Sequence, residues 1–136
     1  MTKVLITGVS SGIGLAQARL FLKNGCAVYG VDKSEAPDIQ EENFHFLQLD
    51  ITGNLAALFD VVPDVDILCN TAGILDAYKP LLAISDDEIA DVFQTNFFAT
   101  VAITRHYLAK MVERQAGIII NMCSIASFMA GGGGAA

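Results

Sequence analysis

A glycine-rich string near the amino terminus has the spacing that most directly predicts chemistry. It follows a short apolar run at residues 3–6, precedes a helix-like segment, and contains Gly8, Gly12 and Gly14. A strand, a glycine turn and a helix start together place unpaired N–H groups and the positive end of a helix where phosphates bind. In this interpretation Gly8 permits the turn, Gly12 leaves room for a pyrophosphate and Gly14 allows close helix packing. The predicted dinucleotide-binding loop also contains Ser10, Ser11 and Ile13.

An acidic residue follows at the end of the second apolar run. Asp32 comes directly after residues 26–31, at the distance from the glycine string at which an acid accepts hydrogen bonds from the adenosine ribose. A carboxylate there repels a 2′-phosphate, so the sequence predicts NAD as the cofactor and makes NADP the alternative. Lys33 complicates this assignment because its ammonium can pair with a phosphate, whereas Ser11 adds no positive charge to the loop.

Composition limits the classes of function. The chain has 136 residues, of which 53% are hydrophobic, and a formal net charge of −7. The negative charge disfavours binding to nucleic acid or to an anionic membrane surface. No apolar run is long enough to span a bilayer, and the amino terminus does not resemble a signal peptide, so we expect a cytoplasmic protein.

The cysteines and histidines are predicted to be structural. Cys26, Cys69 and Cys123 are odd in number and lie in apolar runs, which favours small buried residues in a reducing compartment. His45 and His106 lack the spacing of metal ligands, and no metal site is predicted.

Short apolar runs alternate with helical patterns along the chain. The predicted strands are residues 3–7, 26–31, 43–49, 65–70 and 117–123. Several are continuously apolar, which is typical of parallel strands covered on both faces. Their alternation with helices predicts an α/β fold: a doubly wound, Rossmann-type parallel sheet in three α/β/α layers, with strands 1 to 5 present. Residues 1–136 are predicted to form one dinucleotide-binding domain.

Three helices are predicted between these strands. The first covers residues 15–22 and ends at Asn24-Gly25, and a short one lies near residues 55–59. The longest begins at a Ser85/Glu88 capping box and runs to about residue 114, with a kink near Asn96. The acidic residues 86–88 are assigned to the dipole of that helix rather than to catalysis. Its predicted apolar face consists of Phe93, Phe97, Val101, Leu108, Met111 and Val112.

Five motifs in order resemble the short-chain dehydrogenase/reductase family, in its compact, 3-oxoacyl-(acyl carrier protein) reductase-like branch. They are Thr7-Gly8 with Gly12-Ile13-Gly14, Asp50-Ile51, Asn70-Thr71-Ala72-Gly73, Asn96, and the run 119–124 that ends at Ser124. The resemblance implies that Asp50 and Ile51 contact the adenine ring. It also implies that Asn70, Ala72 and Gly73 steady the sheet and line the adenosine site. Thr71 departs from the family, which has Asn there.

The resemblance also implies catalytic roles. Ser124 would hold a carbonyl oxygen, with Ser127 as the alternative, and Asn96 would position a water relay unless it is only a polar residue satisfied by backbone. The family's proton donor is a Tyr followed by Lys at the fourth position, and none of the tyrosines in this sequence has that neighbour. We therefore expect more chain beyond Ala136, to which the glycine-rich residues 131–136 would lead as a loop, with the later strands of the sheet.

Three interpretations of function remain open. The first is an NAD-dependent oxidoreductase that interconverts an alcohol and a ketone, represented here by its cofactor-binding portion. The second is a non-catalytic dinucleotide-binding or redox-sensing module, and the third is a truncated product with no stable function. A small-molecule alcohol or ketone is the expected substrate, and the resemblance implies a homodimer or homotetramer. No nucleic-acid or membrane partner is expected.

Overall fold

Five parallel strands form the centre of the molecule. A computed structural model describes residues 1–76 and 78–127. The strands are β1 (Lys3–Thr7), β2 (Ala27–Asp32), β3 (Phe44–Gln48), β4 (Ile67–Asn70) and β5 (Ile118–Asn121). Their order in the sheet is β3-β2-β1-β4-β5, and each neighbouring pair is parallel. The order reverses between β1 and β4, and the carboxyl ends of strands at such a point are where doubly wound folds bind ligands. The predicted fold class is confirmed.

Helices connect the strands at nearly the predicted positions. They are α1 (Gly12–Lys23), α2 (Ala56–Val61), α3 (Asp86–Phe93) and α4 (Thr100–Glu113), with a π-helical segment (Gln94–Ala99) between the last two. A short 3₁₀ turn (Ile125–Ser127) follows β5. The capping box is confirmed, because Glu88 N donates to Ser85 Oγ at 3.2 Å and Ser85 N donates to Glu88 Oε2 at 3.0 Å. The π-helical segment occupies the place of the predicted kink, and π turns are a known cause of kinks.

Two apolar clusters cover the two faces of the sheet. Alternate residues of β1 enter opposite clusters, with Leu5 on one face and Val4 and Ile6 on the other. The Leu5 cluster contains Ile103 and Tyr107 of α4. The other cluster includes small and half-buried residues, some of which belong to α1. Burial on both faces explains why the inner strands are continuously apolar in sequence.

The predicted apolar face of the long helix is, for the most part, not the face that packs on the sheet. Of its six residues Met111 is buried and Val101 is half-buried, whereas Phe93, Phe97, Leu108 and Val112 are exposed. The face that packs on the sheet is instead a stripe at intervals of four, namely Ala99, Ile103, Tyr107 and Met111. Tyr107 can occupy this stripe because its hydroxyl donates to Val62 O at 2.7 Å, so its polar atom is not left unpaired when buried.

The cysteine prediction holds for one residue and fails for another. All three cysteines are free thiols; Cys69 is buried in β4, Cys26 is half-buried and Cys123 is exposed. Burial raises the pKa of the Cys69 thiol to about 11, so it is inert as a nucleophile at neutral pH. Cys123 lies past the last paired residue of β5, a strand most of whose residues are also exposed.

Other expectations concern membranes and metals. Within residues 1–76 and 78–127, none of the helices has both the length and the apolar character needed to cross a membrane. The same residues include no cluster of three His, Cys, Asp or Glu side chains that could hold a metal ion. His106 stacks on Phe59 with ring centroids 3.7 Å apart, and His45 lies 5.0 Å from the Tyr29 ring, so both histidines make aromatic contacts. The predicted loop at residues 131–136 lies outside the described residues.

Candidate functional site

A cavity of about 570 Å³ lies at the point where the strand order reverses. Ten of the residues predicted to bind a cofactor line it: Gly8, Ser11, Gly12, Ile13, Gly14, Asp32, Asp50, Ile51, Ala72 and Gly73. They come from four separate stretches of the chain, each at or just beyond the carboxyl end of one of the strands β1 to β4. Parallel strands bring their carboxyl ends to one edge of the sheet, which is why residues so distant in sequence share one cavity.

The glycine loop is closely packed on both of its sides. Gly8 has φ +73°, and a Cβ there would lie 2.7 Å from the Ala72 Cα. A Cβ on Gly14 would lie 2.1 Å from the carbonyl oxygen of Gly8, which is part of the same loop. Gly12 also has a left-handed φ, +52°, but open space surrounds its missing side chain. Two glycines are therefore required by backbone contacts, and the third by its conformation at the cavity wall.

The start of α1 is suited to an anion. Its N-cap residue, Ser11, makes no side-chain capping hydrogen bond, and the first turn contains no acidic residue. The amide groups of this turn therefore have neither a side-chain cap nor a carboxylate within the turn, and the helix dipole adds partial positive charge. The start of α3 is the opposite case, because Ser85 and Glu88 cap it and three acidic residues occupy its first turn.

Asp32 is held in place by two backbone donors. Ser10 N donates to Oδ2 at 3.0 Å and Ser34 N donates to Oδ1 at 2.9 Å. Partial burial raises the pKa of this carboxyl, but the hydrogen bonds from Ser34 and Ser10 outweigh burial and the net pKa is lowered. Ser10 does not line the cavity in the described part of the chain; its hydroxyl donates to Glu35 O at 2.7 Å. Ser10 thus orients the acid and fixes the segment that follows it.

Asp50 and Ile51 form another part of the wall. Thr52 donates to Asp50 Oδ1 from its backbone N at 2.9 Å and from its hydroxyl at 2.8 Å. These bonds, with a smaller contribution from the charge of Lys33, lower the pKa of the Asp50 carboxyl. Ile51 is buried and belongs to the core cluster that includes Leu5. A charged acceptor next to an apolar side chain is an arrangement able to receive the amino group and the face of an aromatic base.

The segment after β4 contributes small residues to the cavity and a buried amide beneath it. Thr7 Oγ1 accepts hydrogen bonds from the backbone N of Thr71 and of Ala72, both at 3.1 Å. Asn70 is buried and is absent from the cavity lining among the described residues. Its Nδ2 donates to Thr104 Oγ1 at 2.9 Å and to Asn121 Oδ1 at 2.8 Å. Asn70 therefore joins β4 to β5 and α4, which matches the sheet-steadying role that the resemblance implied.

Asn96 lies in the π-helical segment and pairs with backbone. Its Oδ1 accepts from Ile74 N at 2.8 Å, and its Nδ2 donates to Ile74 O at 2.9 Å. A Cβ on Gly73 would lie 3.4 Å from Asn96 Oδ1. The Asn96 amide thus pairs with both the N–H and the C=O of Ile74, as the backbone of a neighbouring strand would. Among the described residues Ile74 lines the cavity and Asn96 does not.

Ser124 and Ser127 lie in one exposed turn after β5. Ser124 Oγ accepts from Ala126 N at 3.1 Å, and the Ser127 hydroxyl donates to Ser124 O at 2.7 Å. The Ser127 proton is therefore used within the turn, whereas Ser124 accepts a bond and keeps its own proton for donation. Neither serine lines the cavity among the described residues.

Comparison with known proteins decides the family. The family model described as short chain dehydrogenase matches residues 2–136. The chain belongs to the short chain dehydrogenase family. A short chain dehydrogenase of Rhodocybe pseudopiperita is 35% identical over 142 residues, covering 98% of this chain and 56% of that protein. The serine 3-dehydrogenase of Agrobacterium fabrum is 35% identical over 135 residues, covering 91% of this chain and 54% of its own length.

Solved structures of the family have the same fold. A 4-hydroxyisoleucine dehydrogenase complexed with NADH superposes with a TM-score of 0.88 at 28% identity, over 98% of this chain and 59% of that one. The chain spans about half the length of the curated short chain dehydrogenases that it matches.

Several residues of the cavity were not predicted from the sequence. Thr71 and Ile74 line it after β4, and Asp91, Gln94 and Thr95 line it from the long helix. A signal for the helical residues was present, because they precede Asn96 by one to five positions. That signal does not show that α3 and the π-helical segment reach the cavity, which depends on how they pack against the sheet.

Proposed function

We propose that this short chain dehydrogenase chain binds a nicotinamide dinucleotide, NAD in preference to NADP, and that its protein is an oxidoreductase acting on an alcohol or ketone. One observation carries the proposal: a single cavity is lined both by the start of α1, which has no side-chain cap, and by a firmly held carboxylate, Asp32. A dinucleotide carries both the anionic phosphates that such a helix start binds and the ribose diol that such a carboxylate accepts from. The family structure complexed with NADH supports the same choice.

The residues present fit this cofactor. The open space around Gly12 leaves its backbone approachable, so the loop 8–14 would hold the pyrophosphate. Asp32 would accept from the ribose hydroxyls, Asp50 and Ile51 would contact the adenine, and Ala72 and Gly73 would leave room for the remainder of the adenosine. When bound, the nicotinamide would donate a hydride to the substrate carbon or accept one from it.

Electrostatics favours NAD over NADP. The lowered pKa of Asp32 keeps its carboxylate charged at neutral pH, and Asp50 and Asp91 add negative charge to the same wall. Lys33 is the cation on the lining of the described cavity, and it is exposed, so solvent screens its attraction for a phosphate. A 2′-phosphate next to Asp32 would therefore be repelled.

The proposed chemistry uses two polar residues beyond the cavity. Ser124 would donate its hydroxyl to the carbonyl oxygen, and Asn96 would fix the segment 73–74 and a water relay near it. The 3-oxoacyl-(acyl carrier protein) reductase-like branch is one candidate subclass. The matched serine and 4-hydroxyisoleucine dehydrogenases make hydroxy amino acids the second candidate substrate class. We further propose a cytoplasmic homodimer or homotetramer, with residues 1–136 in one dinucleotide-binding domain.

The test is a fluorescence titration of the full-length protein with NADH and with NADPH. We expect saturable NADH binding that is at least about ten-fold tighter than NADPH binding. Turnover would then be screened with 3-oxoacyl thioesters and hydroxy amino acids. Tight NADH binding without turnover on any alcohol or ketone would support the non-catalytic module, and absence of binding to either cofactor would contradict the proposal.

Replacing Asp32 with Ala is expected to weaken NADH binding by about ten-fold or more, because a charged acceptor for the ribose hydroxyls is lost. NADPH binding should weaken less, so the preference between the two cofactors relaxes. Asp32→Asn separates charge from shape, since the amide retains an oxygen acceptor but no longer repels a phosphate. Asp38→Ala is the matched control, because Asp38 is exposed and accepts a hydrogen bond from Gln40, two residues away. An unchanged NADH/NADPH ratio in both Asp32 variants would remove this residue from cofactor selection.

A further inference from the structure

A hydrogen bond between two half-buried side chains joins α1 to the cavity wall. The Thr71 hydroxyl lies 2.7 Å from Gln17 Oε1. An amide oxygen only accepts, so Thr71 is the donor. Thr71 comes directly after β4 and lines the cavity, and Gln17 lies in the second turn of α1. The bond therefore spans from the wall after β4 to the helix whose first turn faces the same cavity.

The wall side of this bond is held firmly. Thr71 N and Ala72 N both donate to Thr7 Oγ1 at 3.1 Å, and Thr7 is buried at the end of β1. Ala72 also contacts Gly8 so closely that a side chain on the glycine would overlap it. Thr71 is thus attached to the sheet through its own backbone, and its hydroxyl points from a fixed position toward α1.

The first turns of α1 are held more weakly. The buried residues of α1 are Gly14 and Ala18, both of which are small, and the half-buried Phe21 and Leu22 that pack on the core lie in its last turn. Small residues let a helix approach closely but provide few side-chain contacts to fix its rotation about its own axis. A directional bond from Gln17 can supply that missing constraint, because hydrogen bonds weaken steeply when their geometry is distorted.

We infer that Thr71 and Gln17 are positioning residues that hold the start of α1 in register with the cavity wall and thereby set the affinity for the pyrophosphate. This inference rests on the proposed function. The first-turn amides of α1 can donate to a phosphate only if the helix keeps its position relative to the wall against which the ligand lies. The adenosine would contact Asp32 and Asp50, which this bond does not touch, and Ala72, which Thr7 and Gly8 hold independently of it.

The test compares ADP with adenosine as ligands of the full-length protein by isothermal titration. Thr71→Val keeps the shape of the side chain and removes the donor, and Gln17→Met keeps its length and removes the acceptor. We expect each variant to weaken ADP binding about five-fold, while adenosine binding changes less than about two-fold. Thr71→Ser restores the hydroxyl and should bind ADP like the unmodified protein.

The double variant tests whether the two residues act as a pair. If they do, Thr71→Val with Gln17→Met should weaken ADP binding no more than either change alone, instead of the roughly twenty-five-fold loss of independent effects. Thermal melting without ligand shows whether each variant folds. If Thr71→Val does not fold, the ADP affinity of Gln17→Met alone tests the inference.

Each other result overturns the inference. Unchanged ADP affinity in Gln17→Met, an equal loss for ADP and adenosine, or additive losses in the double variant would each show that the bond does not position α1 for a phosphate. Those results leave the proposed function standing, because the unmodified protein would still bind ADP. Failure of the unmodified protein to bind ADP would contradict both.

Discussion

Replacing Gly14 with Ala should lower the free energy of unfolding by about 3 kcal/mol and weaken NADH binding about 100-fold. The added Cβ would lie 2.1 Å from Gly8 O, 2.8 Å from Gly8 C and 3.2 Å from the Val9 Cα. All three are backbone atoms of the loop at the cavity wall, so no side chain can rotate away to relieve the overlap. The start of α1 must move away from the loop, and the phosphate-facing amides move with it.

Two other glycines serve as matched controls for this result. At Gly53 a Cβ would have ordinary contact, 3.4 Å from Asp50 O, so Gly53→Ala should change neither stability nor binding. At Gly12 the space is open but φ is +52°, so Gly12→Ala should cost about 1–2 kcal/mol of stability from backbone strain. Its methyl group would also enter the cavity. The loss of NADH binding free energy should therefore exceed the loss of unfolding free energy.

Chemical denaturation of the ligand-free proteins and NADH fluorescence titration together distinguish these effects. If Gly14→Ala unfolds at the same denaturant concentration as the unmodified protein and binds NADH within about three-fold, the packing argument for Gly14 is wrong. Equal losses of stability and NADH affinity in Gly14→Ala and Gly53→Ala would show that replacing any glycine has this effect.

Local signals in the sequence predicted most of the fold. The capping box at Ser85 and Glu88 depends on residues three positions apart, and the structure confirms it. The inner strands β1, β2 and β4 were predictable because burial on both faces requires nearly continuous apolar sequence. The sheet-facing stripe of the long helix was not, because it includes Tyr107, whose burial depends on an acceptor at Val62, far away in sequence. A contact of that kind leaves no local pattern.

In the candidate site too, local sequence patterns were predictive and contacts between distant residues were not. Residues at the ends of strands were predicted to meet because parallel strands place their carboxyl ends together, and ten of them do line one cavity. The contact between Gly8 and Ala72 and the bond between Thr71 and Gln17 depend on how β4 and α1 lie against each other. Sequence spacing indicates which elements form; the rotation of one element against another follows from packing across the whole sheet.

Ser124→Ala in the full-length protein should lower kcat by about 100- to 1,000-fold, the usual cost of losing a donor to a developing oxyanion. NADH affinity should stay within about two-fold, because Ser124 does not line the described cavity. The Ser124 hydroxyl accepts from Ala126 N and keeps its proton for a substrate oxygen, in an exposed turn just after β5. Steady-state kinetics with a substrate found in the turnover screen provides the measurement.

Ser127→Ala is the control that separates the two serines of this turn. The Ser127 hydroxyl donates to Ser124 O, so its loss should loosen the turn and reduce kcat by only about three-fold. A large loss in Ser127→Ala with normal turnover in Ser124→Ala would reverse the assignment. Normal turnover in both would mean that the carbonyl oxygen is held elsewhere, because a donor required in the transition state cannot be removed without slowing the reaction. A large loss confined to Ser124→Ala, with NADH binding intact, would assign to Ser124 a role in chemistry rather than in cofactor binding, which a purely binding module would not require.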